Sequence, residues 1–202
     1  MMSSYETVWE FERRVAEFCG AKHGVATDTC TNALFLSCKY MMVGAVILPA
    51  RTYISVPAAI IHAGGSVKFV DYAWTGRYTL HPYPIYDSAL RFRRGMYHGG
   101  LQCVSFQMRK LLPIGRGGMI LTDDGEAVEW LRKARSNGRN LAVPYVKDSI
   151  GMLGWDMAMT PEQGARGLQL LETLDGNLPD QINEYPDLRR MPIFAEPMEV
   201  AA

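Results

Sequence analysis

The sequence has no apolar run near the roughly 18 residues that a membrane-spanning helix needs. Its start, MMSSYETVWEFERR, is acidic and amphipathic, unlike the apolar stretch of a signal peptide. Net charge is also missing: 21 Lys and Arg balance 21 Asp and Glu, so no global field draws nucleic acid or an anionic membrane surface. The short basic clusters, Arg91 to Arg94 and Arg132 to Arg139, read as solvated or ligand-facing loop charge. The four cysteines, Cys19, Cys30, Cys38 and Cys103, form no CxxC pair and have no metal-like spacing with His23, His62, His81 or His98. They read as buried free thiols, with no metal site, in a protein expected in a reducing cytoplasm. There is no internal repeat.

What is present fits one sizeable core, or one domain with an appendage, in 202 residues that are 48% apolar and 21% charged. SSYETVWEFERRVAEFC opens with serine caps and spaces Val8, Phe11, Val15 and Phe18 as an amphipathic helix ending at Gly20. HGVATDT reads as a strand running into a polar turn, and TNALFLSCKYMM as the helix after it. AVILPA, SVKFVD, YPIYD, QCVSFQ and GGMILTD read as further strands; the first is continuously apolar, as parallel strands covered on both faces are. SVPAAIIHAG and GEAVEWLRKARSNG read as helices. Alternation of strand and helix through Asp71 predicts an α/β fold, a mostly parallel sheet sandwiched by helices.

The alternation breaks between 72 and 86. A full crossover between parallel strands needs about 30 residues, so this gap holds a direct turn or hairpin. RNLAVPYVKDSIGMLGWDMAM reads as an irregular loop, and TPEQGARGLQLLETLD as a helix capped by Thr160 with Pro161 at its first position. Residues 1–175 are thus read as one α/β domain, and 176–202, rich in Pro, Asn and Asp, as a loosely packed C-terminal arm.

Four local features could carry chemistry, and each has a plainer reading. TDTCTNAL, a strand running through small polar residues into a helix, makes an anion cup from unpaired first-turn amides, or merely a Thr29 or Thr31 cap. Asp87 ends an apolar strand, facing a ligand crevice or capping a turn. Lys110 follows the CVSFQ strand, as a desolvated amine fit for carbonyl chemistry or as an ordinary surface lysine. GRGG, residues 115–118, wraps a phosphate or simply turns the chain.

Taken in order, these features resemble the DegT-type family of sugar aminotransferases, fold type I enzymes that use pyridoxal phosphate. FERRVAEFCGAKHGVATDTCTNAL is similar to the family's first helix, strand and phosphate turn, and VILPARTYISVPAAIIHAGGSVKFVD to its second and third strands with the helix between. YDSAL stands at the family's EDAAQ, SFQMRKLLPIGRGGMILTDD matches its Ser–Phe–x–x–x–Lys motif, and LGWDMAMTPEQGARGLQLLETLD its GxNYRMSELQAAIGLxQL helix. The resemblance covers nearly all of residues 8–175. It implies that Lys110 holds the cofactor as an internal aldimine and then acts as acid and base, and that Asp87 pairs with the pyridinium nitrogen. It also implies that Tyr53 stacks on the ring, that Cys30, Thr31 and Ser105 hold the phosphate, and that Asp156 reaches a partner's phosphate across a homodimer.

Departures accompany the match. Leu90 stands where the family has a glutamine, Asp156 where it has asparagine, Ala158 where it has arginine, and Arg116 where it has glutamate. The chain is about half the family's usual length, and the small C-terminal domain is largely absent. The activity implied is transfer of an amino group from glutamate to a nucleotide-linked keto sugar; the lysine argues against the family's dehydratase branch. Two alternatives stay open: a trimmed, non-catalytic relative that binds cofactor or partner subunits, and another pyridoxal-phosphate reaction such as racemisation or decarboxylation.

Overall fold

Helix α1 (Glu6–Cys19) buries Val8, Phe11, Val15 and Phe18 along one stripe and stops at Gly20, whose positive φ of 83° lets its N–H reach back to the Ala16 and Glu17 carbonyls. The computed structural model describes residues 5–195. The serine caps expected ahead of α1 lie outside the described residues, and Tyr5 occupies the cap position. After α1 come β1 (His23–Thr27), α2 (Cys30–Tyr40), β2 (Ala45–Pro49), α3 (Ser55–His62) and β3 (Ser66–Val70). Then follow β4 (Tyr78–Thr79), β5 (Ile85–Asp87), β6 (Leu101–Ser105), β7 (Gly118–Thr122), α4 (Gly125–Ala134), α5 (Pro161–Glu172) and α6 (Pro192–Ala195).

The α/β class expected from the sequence holds, with one refinement. The main sheet runs β1-β7-β6-β5-β4 and is mixed rather than mostly parallel. Only β5 and β6 pair in parallel within it, while β1–β7, β6–β7 and β4–β5 are antiparallel. The reason is the connections. Residues 106–117 between β6 and β7 hold no helix, so the chain turns straight back, and the 72–86 gap folds β4 onto β5 as a hairpin. β2 and β3 form a separate parallel pair joined through α3. Among the described residues that pair meets the main sheet at the Ile47–His81 bridge, where the Ile47 N–H donates to the His81 carbonyl at 2.8 Å.

Alternation along the buried strands feeds two cores. Val25 and Ile120 face a cluster with Leu34, Ile60 and Leu131 from α2, α3 and α4, whereas Ala26, Met119 and Leu121 face Phe11, Phe18 and Leu171 from α1 and α5. Each such Val, Ile, Leu, Phe or Met side chain contributes about 1.5–3 kcal/mol of burial. The second core is crossed by an ion cluster: fully buried Glu12 accepts the Ala26 N–H, pairs with Arg132 at 2.8 Å, and pairs with buried Arg135, which also donates to the Ala26 carbonyl. Thr160 caps α5 in a reciprocal box with Gln163.

Residues 176–190 are more firmly held than the sequence suggests. Arg91 grips Asp180, the Gln181 N–H donates to the Leu90 carbonyl, and buried Leu188 donates its N–H to the Ala50 carbonyl. These are charged and backbone contacts, so hydrophobic periodicity carries no trace of them.

Candidate active site

The carboxyl ends of β1, β2, β5 and β6 open on one side of the molecule, as crevices of such sheets do. There a cavity of about 480 Å³ is lined by Cys30, Thr31, Tyr53, Asp87, Ser105 and Lys110, the six residues that the sequence places in a series. Asp156 is not among its lining residues. It is exposed, and its backbone pairs with Ser136 in the segment leading to α5.

The polar turn after β1 does both things that its sequence allows. Thr29 caps α2, its hydroxyl accepting the Asn32 N–H at 3.1 Å. The first two helical amides, those of Cys30 and Thr31, have no intrahelical acceptor by geometry and sit at the positive end of the helix dipole. The Thr31 hydroxyl donates to Ser55 Oγ at 2.9 Å, at the start of α3. Burial pushes the Cys30 thiol well above its ordinary range, so it stays neutral and adds no repulsion to an anion cup.

The glycine run GRGG closes the other side. Gly115 and Gly117 take positive φ values that a side chain would strain. Gly118 packs so near α2 that a Cβ there would stand 2.6 Å from the Thr29 carbonyl oxygen and overlap the Cys30 nitrogen. The turn also carries Arg116 into the cavity wall, paired with Asp28 at 2.9 Å.

Asp87 is buried at the end of β5. Its Oδ1 accepts the Ala89 N–H at 2.9 Å and its Oδ2 the Tyr78 hydroxyl at 2.8 Å. Burial raises its pKa; these two donors and the charge of Lys110 pull against that rise. Lys110 is half-buried, in a turn fixed by its own N–H to the Gln107 carbonyl at 2.8 Å. Burial lowers its amine below the ordinary 10.5, and the Asp87 charge pulls it partly back. A carboxylate and an amine each sense the other in one cavity, a pattern that marks functional sites.

Several contributors are absent from the sequence reading. Tyr185, from the C-terminal arm, lines the cavity with its ring 5.8 Å from that of Tyr53; burial, then Asp87 and Cys30, push its phenol up to about 12. Tyr78 and Thr52 orient Asp87 from behind. Tyr78 stands opposite Asp87 in the β4–β5 register, a neighbourhood that follows from the hairpin pairing alone. Nothing local marks Tyr185. Leu90 is buried and does not line the cavity, whereas Ala89 does.

The family model described as the DegT/DnrJ/EryC1/StrS aminotransferase family matches residues 1–83 and 93–189. The chain is 28% identical over 215 residues to GDP-perosamine synthase of Caulobacter vibrioides, a match covering 84% of this chain and 57% of that protein. It is 28% identical over 230 residues to the spore coat polysaccharide biosynthesis protein SpsC of Bacillus subtilis, covering 86% and 58%. The chain thus spans less than two thirds of the length of the curated relatives it matches. In fold it is similar to a sugar aminotransferase from Micromonospora echinospora, with TM-score 0.71, 19% identity and coverage of 83% of this chain and 60% of that one.

Proposed function

The chain belongs to the DegT/DnrJ/EryC1/StrS aminotransferase family, and on that premise we propose that it binds pyridoxal phosphate around Lys110 and moves an amino group, drawn from glutamate, onto the keto group of a nucleotide-linked sugar. The observation that carries this reading is the convergence of Lys110 and buried Asp87 on one cavity, onto which the amino end of α2 opens. The residues fit the group: an amine, a buried carboxylate held by two donors, hydroxyls at Thr31 and Ser105, free helix amides and an aromatic face at Tyr53. When bound, the cofactor supplies an electron sink.

Each residue of the chain has its own task. The Lys110 amine, whose neutral form burial favours, would hold the cofactor at its carbonyl carbon with loss of water and, once displaced by the donor's amine, would move a proton from the substrate carbon to the cofactor. Asp87 holds a proton at the ring nitrogen, and Tyr78 and Thr52 fix its orientation. The Cys30 and Thr31 amides, with the Thr31 and Ser105 hydroxyls, hold the phosphate. Asp156, exposed and outside the cavity, serves a neighbouring copy in a homodimer. The name of the Caulobacter relative supports a nucleotide-linked sugar as acceptor.

Leu90, where the family has glutamine, favours a second reading: a relative that binds the cofactor without turning it over. One experiment separates the two. Protein incubated with pyridoxal phosphate should gain a visible absorption band, and borohydride should fix the added mass on the peptide containing Lys110; Lys110→Ala should show neither. Glutamate should then bleach the band, and the bleached form should aminate a nucleotide-linked keto sugar. Absence of uptake overturns both readings, whereas uptake without bleaching selects the second.

A further inference from the structure

We propose that residues 180–190 form a strap that closes the cavity in cis, and that Tyr185 is its positioning residue, setting how fast molecules reach Lys110 and leave it. The inference rests on the reading of the cavity as a cofactor site. The strap is tied to both walls. On the lysine side, Arg91 Nε donates to Asp180 Oδ1 at 2.8 Å and Arg91 Nη2 to Asp180 Oδ2 at 2.6 Å, with both side chains largely buried. Next to it the Gln181 N–H donates to the Leu90 carbonyl and Gln181 Nε2 to the Arg109 carbonyl at 2.7 Å, one residue before Lys110. Gly76 makes room for this anchor, because a Cβ there would overlap the Asp180 carboxyl.

On the opposite side, the Asp187 backbone pairs with that of Arg51 in an antiparallel bridge, the Leu188 N–H donates to the Ala50 carbonyl at 2.9 Å, and Leu188 is 1% exposed. Ala50 and Arg51 follow β2 and precede Tyr53, so this anchor holds the aromatic wall. Between the anchors Asn183 Nδ2 donates to the Arg51 carbonyl, and Tyr185 turns its ring to the cavity. That ring is backed by Trp74, centroids 6.4 Å apart and near parallel, and Trp74 packs in turn on Tyr78 at 4.6 Å. Tyr185 therefore cannot leave the cavity by side-chain rotation alone without losing this backing. Opening requires the strap to lift, and lifting breaks a bidentate arginine–carboxylate pair.

The test uses the full chain. In the cofactor-loaded protein, hydroxylamine should remove the visible band, and excess apo-acceptor should draw off cofactor, about tenfold faster in Tyr185→Ala and in Arg91→Ala than in the wild type. Tyr185→Phe keeps the ring and should match the wild type. In the cofactor-free protein, acylation of Lys110 by a small amine-reactive ester, followed by mass spectrometry, should accelerate by a similar factor in the same two variants, with circular dichroism confirming that each is folded. A protein that never takes up cofactor but shows this acceleration sinks the cofactor reading and leaves the strap standing. Uptake with all three rates unchanged in folded Tyr185→Ala and Arg91→Ala overturns the strap.

Discussion

The Tyr78 hydroxyl donates to Asp87 Oδ2 at 2.8 Å while standing 2.5 Å from the Thr52 hydroxyl. With its one proton committed to the carboxylate, Tyr78 accepts from Thr52, so a directed chain Thr52 to Tyr78 to Asp87 orients the acid from the protein side. The Asp87 oxygens are thereby fixed before any ligand arrives, the condition for an electrostatic site that does not reorganise in use.

That burial has a cost visible in the pH dependence of folding. Asp87 titrates above its ordinary 3.8, so its contribution to stability is fully present below that value and is lost as pH rises through the folded one. Asp87→Asn should lack this decline. Urea unfolding should show the variant gaining on the wild type from about pH 4 upward, while cofactor uptake falls; a constant difference from pH 3 to 8 would contradict the assignment.

Lys110 shifts the other way. Its folded pKa lies below 10.5, so the linked stability is present above that value and is lost as pH falls through the folded one. Acylation of Lys110 in the cofactor-free protein should have a midpoint below 10.5. Because the Asp87 charge raises the lysine, Asp87→Asn should move the midpoint further down; a midpoint that rises would refute the coupling.

Glu12 is the anionic centre of a cluster with buried Arg135 and exposed Arg132. Glu12→Ala leaves the Arg135 guanidinium, 1% exposed, without its carboxylate. Denaturant unfolding should register a loss of about 3–5 kcal/mol, the range for breaking a buried pair from one side. A loss under about 1 kcal/mol, typical of exposed pairs, would show the cluster to be solvated.

Gly118→Ala tests the contact between β7 and the first turn of α2. The added methyl has backbone on the far side, with the Thr29 carbonyl oxygen 2.6 Å away, and backbone cannot rotate aside. Stability should drop by about 1–3 kcal/mol, and affinity for pyridoxal phosphate should drop more than affinity for pyridoxal, since the displaced turn is the one that would meet the phosphate. Equal losses for both would place the damage elsewhere.

The sequence and the structure agree where the physics is local. Thr160 followed by Pro161 announces the start of α5, and Gly20 announces the end of α1, because caps act within a few residues. The direction of β7 was not legible: GMILT is buried at every position, and a fully buried run reads the same in either direction. What decides it is the helix-free connection from β6. The convergence of Thr31, Tyr53, Asp87, Ser105 and Lys110 shows in their order along the chain, not in any one neighbourhood. Tyr185 showed in neither way, because Arg91 and Asp180, which seat its segment, are 89 residues apart and leave no periodicity.

The β2–β3 pair gives the cavity a wall of separate origin. Lys110, Asp87 and Ser105 ride on or beside the five-stranded sheet, whereas Tyr53 and Ser55 follow β2, which is joined to that sheet by the Ile47–His81 rung, the Thr52–Tyr78 hydroxyl contact and the core shared through α2 and α3. Two separately laddered pieces of backbone thus meet at one cavity, and residues 180–190, fastened to both, are the stitch between them.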